Sequence, residues 1–211
     1  MPRMWDFWSF LGSAIVISLS GVMAPGAITA ATIAAGARNR HAGSLIALGH
    51  GVVEFPLMVL IVLGASHFLQ GRGAQIGIGL VGGAVLVFTA IMTLLGLRGG
   101  SEPAPHTQRW GPLVTGIVLS AANPYFLVWW ATVGLALTTR AMGLGVWAFA
   151  IFAVVHWALD LIWLEALSMG SSHGARLLGP RAQKAVLVLC SAAMLFFAAT
   201  FIRDGVVRLC G

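Results

Sequence analysis

Charge is what this sequence has least of. Of its 211 residues, 12 are Lys or Arg and 6 are Asp or Glu, while 59% are hydrophobic. So little polar surface cannot coat a soluble globule, and a mean hydropathy of +0.94 points the same way, so the chain reads as an integral membrane protein. Cysteine is scarce too: Cys190 and Cys210 have no plausible mutual pairing, which excludes a disulfide framework. Segments of alternating polarity are missing, which argues against a membrane barrel. No His-Glu-x-x-His run is present, which removes an intramembrane metalloprotease, and no nucleic-acid motif accompanies the net charge of +6. The basic residues are explained by topology instead.

What is there is apolar sequence in long runs. A bilayer core about 30 Å thick needs ~20 apolar residues per helical span, and six runs qualify, at 7–36, 43–65, 74–97, 112–138, 144–169 and 185–203. Almost nothing remains for an extramembrane domain, so the expectation is an all-α integral membrane bundle of six transmembrane helices. The connections after spans 1, 3 and 5 hold Arg38, Arg40, Arg98, Arg109, Arg176, Arg181 and Lys184, against Arg3, Arg72, Arg140, Arg203 and Arg208 on the other side. That bias, with the cluster Arg38-Asn39-Arg40, places both termini outside and the odd connections in the cytoplasm. Span 1 is longer than the apolar stretch of a typical secretory signal and is read as retained.

Inside these runs the few ionisable residues stand out. His50 and Glu54 lie near the middle of span 2, four apart and so on one helix face. His156 and Asp160 repeat the spacing in span 5. A charged side chain at mid-bilayer costs on the order of 3 kcal/mol on insertion scales, so such groups face a bundle interior or a wet cavity. Two pairs at identical spacing read as one site built twice. Glu165, little more than a turn after Asp160, is near the interface and reads as solvated.

Two spans carry breakers. Span 1 runs apolar to Ser20-Gly21-Val22-Met23-Ala24-Pro25-Gly26, and span 4 has Ser120-Ala121-Ala122-Asn123-Pro124 at its centre. Proline removes a backbone donor and clashes with the preceding turn, so both helices are expected to be interrupted. The helix ends left at Pro25-Gly26 and Asn123-Pro124 offer a positive dipole end to a carboxylate and free carbonyls to a cation. Tyr125, Trp129 and Trp130 follow and read as packing. Gly73-x-x-x-Gly77 and Gly79-x-x-x-Gly83 let helices approach closely, within the bundle or between protomers. The polar connection Gly99–Gly111, with Glu102, Pro103, Pro105, His106 and Arg109, divides residues 1–100 from 101–211. Each half then shows a broken span, a span with His and carboxylate four apart, and a plainer third. Because three is odd, the halves enter the membrane in opposite senses, the signature of two inverted three-helix repeats in a transporter.

With these motifs in order along nearly the whole chain, the sequence resembles the LysE/RhtB-type amino-acid exporters of the lysine exporter superfamily. Pro25-Gly26 stands where that family has Pro-Gly-Pro, followed by Gly36-Ala37-Arg38 and Ala42-Gly43 as in its small-basic first loop. Glu54 occupies the place of the span-2 acid, Asn123-Pro124 resembles Asn-Pro-Lys, and Asp160-Leu161-Ile162-Trp163 looks like its Asp-x-x-Trp. The resemblance implies a six-helix inner-membrane exporter, coupled to protons and assembled as a homodimer, working in the lipid bilayer without a cofactor. Ala27 and Tyr125 replace the family's proline and lysine, and His50 and His156 are not standard in the amino-acid branch. These departures bear on the substrate.

The leading expectation is therefore a secondary transporter, not an enzyme, that exports a small solute such as an amino acid or derivative. Glu54 and Asp160 would alternate between protonated and ionised, tuned by His50 and His156, while Pro25, Gly26, Asn123 and Pro124 bind substrate. The alternative cargo is a divalent transition metal held by His50, Glu54, His156 and Asp160, a credible first shell for zinc, cobalt or nickel. Against it, the loops hold only His41, His67, His106 and His173 as further ligands for an exit path. A thiol-electron carrier of the same superfamily would need a cysteine in the first span of each half, where this chain has none.

Overall fold

A computed structural model describes residues 4–65, 71–98, 110–177 and 179–210. The connection 99–109, with Glu102, His106 and Arg109, and His67 lie outside the described residues. Among the described residues the chain is helical, with six stretches long and apolar enough to cross a membrane.

The break expected at Pro25 is present. Helix α1 (Met4–Val22) ends before it and α2 (Ala27–Gly36) starts after it. The loose ends are tied locally: Ala24 N donates to Gly21 O at 3.2 Å, Ala30 N to Gly26 O at 3.0 Å, and Thr29 Oγ1 to Ala24 O at 3.1 Å. The second break is also where the proline put it. Helix α6 (Gly111–Ala121) stops two residues before α7 (Pro124–Trp129), and Asn123 Oδ1 caps α7 by accepting from Tyr125 N at 3.1 Å. The chain continues through a widened turn, Trp130–Gly134, into α8 (Leu135–Leu144). Pro124 sits at the first turn of α7, where its missing amide has no helical partner to lose.

Between the breaks lie the unbroken helices. Helix α3 (Ala42–Leu60) takes Pro56 without interruption and ends in a wide turn to Ala65, where Gly64 adopts φ 100°. Helix α4 (Arg72–Gly77) widens over Ile78–Gly82 and continues as α5 (Gly83–Arg98). Helices α9 (Val146–Leu177) and α10 (Gly179–Cys210) have 32 residues each, ~48 Å at 1.5 Å per residue, and so outreach a ~30 Å core. They exceed the apolar runs 144–169 and 185–203 because their polar ends carry on the same helix.

Packing follows a crossed pattern. Helix α1 runs parallel to α9, with Phe7 beside Trp147, Phe10 edge-on to Phe152 at 5.8 Å, and Ser18 at His156. Helix α6 crosses α3 where the bare Gly116 meets Ile46 O and Gly49 meets Leu113 O, and it runs parallel, since one turn further on Ser120 reaches His50. A Cβ at either glycine would strike the opposing backbone, so small residues set this approach. Helices α3 and α9 are antiparallel, Gly43 lying against Leu164 and Trp157 Nε1 donating to Ala47 O at 3.0 Å. Gly79 and Gly83 pack on α10 at Phe201 and Ile202, so that pair serves the inside of the bundle. Gly73 and Gly77 meet nothing among the described residues within 4 Å of a Cβ.

Candidate functional site

The helices α3 and α9 cross where their histidines and carboxylates lie, and this crossing builds the site. Glu54 is fully buried, and His50, His156 and Asp160 are 5%, 4% and 8% exposed. Glu54 Oε1 lies 3.2 Å from His50 Nε2 on its own helix and 3.3 Å from His156 Nε2 on the other. Asp160 completes the square, Oδ1 3.9 Å from His50 Nε2 and Oδ2 3.8 Å from His156 Nε2. The two pairs expected from spacing alone are thus brought together as one cluster. Among the described residues Glu54 Oε2 and Asp160 Oδ2 have no hydrogen-bond partner, so each acid has an oxygen open to a ligand.

Each imidazole is held from behind by a serine of a distant helix. Ser120 Oγ on α6 is 2.7 Å from His50 Nδ1, and Ser18 Oγ on α1 is 2.8 Å from His156 Nδ1. Aromatic rings set the planes: His156 stacks on Trp129 with centroids 5.2 Å apart and meets Trp130 edge-on, and His50 meets Phe126 edge-on at 5.0 Å. Trp129 and Trp130 are buried packing residues as expected, and in that position they also wall the site. Sequence reasoning missed Ser18, Phe126 and the role of Ser120. A lone hydroxyl in an apolar helix has a ready backbone acceptor one turn back, so its presence signals nothing.

The cluster opens into a cavity of about 80 Å³, room for on the order of five waters. Pro25, Gly26 and Asn123 line it alongside His50, Glu54, His156 and Asp160. Pro124 is turned away and packs against Gly82. The two helix ends differ. Asn123 caps α7 with its own side chain, whereas the N-cap of α2 is Gly26, which brings no side chain to the first amides and has open space where a Cβ would stand. Glu165 is not merely solvated. It accepts from Ser44 N at 2.9 Å and Ser44 Oγ at 2.8 Å and pairs with His41 at 2.5 Å, which fastens the start of α3 to α9 away from the cluster.

A family model described as LysE type translocator matches residues 19–205, which takes in both breaks, the cluster and the α10 face. The chain belongs to that family. No curated protein and no solved structure matches it. Members of the LysE type are translocators rather than enzymes, so this one is a multi-pass membrane transporter of the exporting kind, in keeping with its six helices long and apolar enough to cross a membrane. For a LysE type translocator the cluster's chemistry is suited to cargo and protons. Two carboxylates and two imidazoles, Glu54 within hydrogen-bond reach of both rings and Asp160 within 4 Å of them, can take up, share and release protons, and His50, Glu54 and Asp160 each offer an atom within 4.8 Å of the others.

Proposed function

We propose that this translocator exports a small zwitterionic solute, an amino acid or derivative, across the inner or plasma membrane in exchange for protons. The observation that carries the reading is the shared cavity: the uncapped N-terminus of α2 at Gly26 and the buried acids Glu54 and Asp160 face the same space. A substrate carboxylate is matched by the free amides that begin α2, and its ammonium by Glu54 and Asp160. Ionised acids hold the ammonium; protonation from the far side releases it, which ties solute exit to proton entry. His50 and His156 share the incoming proton. The crossed pairing of α1 with α9 and α6 with α3 supports reading 1–100 and 101–211 as two inverted repeats around this site.

A second cargo is favoured by one observation, the convergence of His50, Glu54 and Asp160 on one point with His156 beside them. Their separations suit a tetrahedral transition metal such as zinc, cobalt or nickel. The amino-acid reading is preferred because a metal has no use for the open amides at Gly26.

Liposomes containing the protein test both. One set is loaded with a labelled amino-acid mixture and another with zinc, cobalt or nickel, and an outward-acid pH gradient is imposed. Gradient-driven loss of amino acids by the wild type, abolished in a folded Glu54→Gln variant, is the expected result. Undiminished efflux by Glu54→Gln removes the proton role, and loss of metal alone moves the assignment to the second cargo. Homodimer assembly, which the family resemblance implies, is read from the protein mass in detergent by light scattering.

A further inference from the structure

The two histidines of the cluster are held in unlike ways. Ser120 Oγ lies 2.5 Å from Gly116 O, one turn back in α6, as well as 2.7 Å from His50 Nδ1. A carbonyl only accepts, and a hydroxyl has a single proton to give. That proton goes to Gly116, so Ser120 meets the ring as an acceptor and Nδ1 must carry hydrogen. Nε2 then faces Glu54 Oε1 at 3.2 Å and Asp160 Oδ1 at 3.9 Å. Ser18 Oγ, by contrast, makes no second hydrogen bond among the described residues, so its hydroxyl turns to donate to His156 Nδ1 or to accept from it.

We infer that Ser120 is a positioning residue that locks His50 with hydrogen on Nδ1 and Nε2 toward the acids, while Ser18 leaves His156 free to change tautomer. A direct consequence concerns the contact between His50 Nε2 and Glu54 Oε1. Both atoms are acceptors unless a proton sits on one of them, so with Nδ1 already committed this contact holds one extra proton, on the ring or on the acid. When Ser18 accepts from Nδ1, His156 Nε2, 3.3 Å from the same Oε1, is the group that can receive it, and the imidazolium so formed gives it up again to Glu54 or to Asp160 Oδ2, 3.8 Å away. The groups around His50 are accounted for: Glu54 on its own helix, Asp160 and His156 on α9, Ser120 on α6 and the ring of Phe126 on α7. The transport consequence rests on the function proposed above, but the lock itself is a property of the ring and holds for either cargo.

The test is solid-state NMR of ¹⁵N-histidine-labelled protein in lipid bilayers, with His50 identified by the signals lost in His50→Gln. The wild type is expected to show His50 with Nδ1 protonated. Ser120→Ala, which removes one oxygen, should let a form with bare Nδ1 appear, Ser120→Thr should restore the wild-type signal, and Ser18→Ala should leave His50 unchanged. A bare Nδ1 at His50 in the wild type overturns the inference even if no variant folds. So does a Ser120→Ala spectrum identical to the wild type. Failure of the transport reading appears separately, as undiminished efflux by Glu54→Gln, and leaves these spectra untouched.

Discussion

Replacing Gly51 by alanine tests whether the cluster depends on the close approach of α3 to α9. A Cβ at Gly51 falls 2.6 Å from Trp157 Nε1 and 3.0 Å from its Cδ1, and ordinary contact begins at 3.4 Å, so about 0.8 Å of retreat is required. The indole is not free to supply it. Its N–H is bonded to Ala47 O at 3.0 Å, and its ring lies 5.9 Å from that of Phe55. If the helices part by the same amount, the contact of His156 with Glu54 grows from 3.3 Å to about 4 Å, past hydrogen-bond range, while that of His50 with Glu54 at 3.2 Å, made within α3, survives. Overpacking costs about 1–3 kcal/mol, and breaking the indole bond adds ~1 kcal/mol. The assay is thermal unfolding in lipid nanodiscs, run for Gly51→Ala, Trp157→Phe and the double variant, with proton-coupled efflux measured alongside. Phenylalanine removes the atom that alanine strikes, so the second substitution should relieve the first, with a coupling of about 1 kcal/mol or more. Additive effects, within about 0.5 kcal/mol, would refute the proposed contact.

Two further outcomes follow from the same geometry. Gly26→Ser fits the extended backbone of Gly26 (φ −160°) and the open space beside it, so the protein should fold with stability within a few tenths of a kcal/mol of wild type or slightly above. Its hydroxyl then occupies the first amides of α2, and efflux of an amino acid should fall about tenfold or more; unchanged efflux removes that helix end from the site. Gly83→Leu drives its side chain into Ile202 and Ala198 and should lower thermal stability by about 2 kcal/mol or more, whereas Gly77→Leu, facing open space, should leave it within about 0.5 kcal/mol. Equal losses for the two would mean that Gly77 is covered by something outside the described residues.

Much of the frame was legible because membrane burial makes certain residues expensive. Pro25 and Asn123-Pro124 announced the two interruptions, since a helix in lipid has no water to repair a lost hydrogen bond. His50, Glu54, His156 and Asp160 announced the cluster, since each needed a partner at that depth. What stayed hidden was whatever costs nothing to place. A serine in any helix has a backbone carbonyl one turn back to satisfy it, as Gly116 O does Ser120, and only the approach of α1 to α9 and of α6 to α3 gives Ser18 and Ser120 their histidines. Glu165 looked solvated because its partners, His41 and Ser44, are distant in sequence. Pro124 marked a break correctly, yet the direction in which its ring faces is set by Gly82 on a neighbouring helix, which no local pattern reveals.

The serine contacts have a consequence for how the chain divides. His50 is steadied by a hydroxyl 70 residues downstream, and His156 by one 138 residues upstream. Neither fragment produced by a cut within 99–109 therefore owns a finished histidine: each lends the other the oxygen that keeps its ring from turning. Proton handling here is a joint possession of the two fragments, and it begins only when they meet.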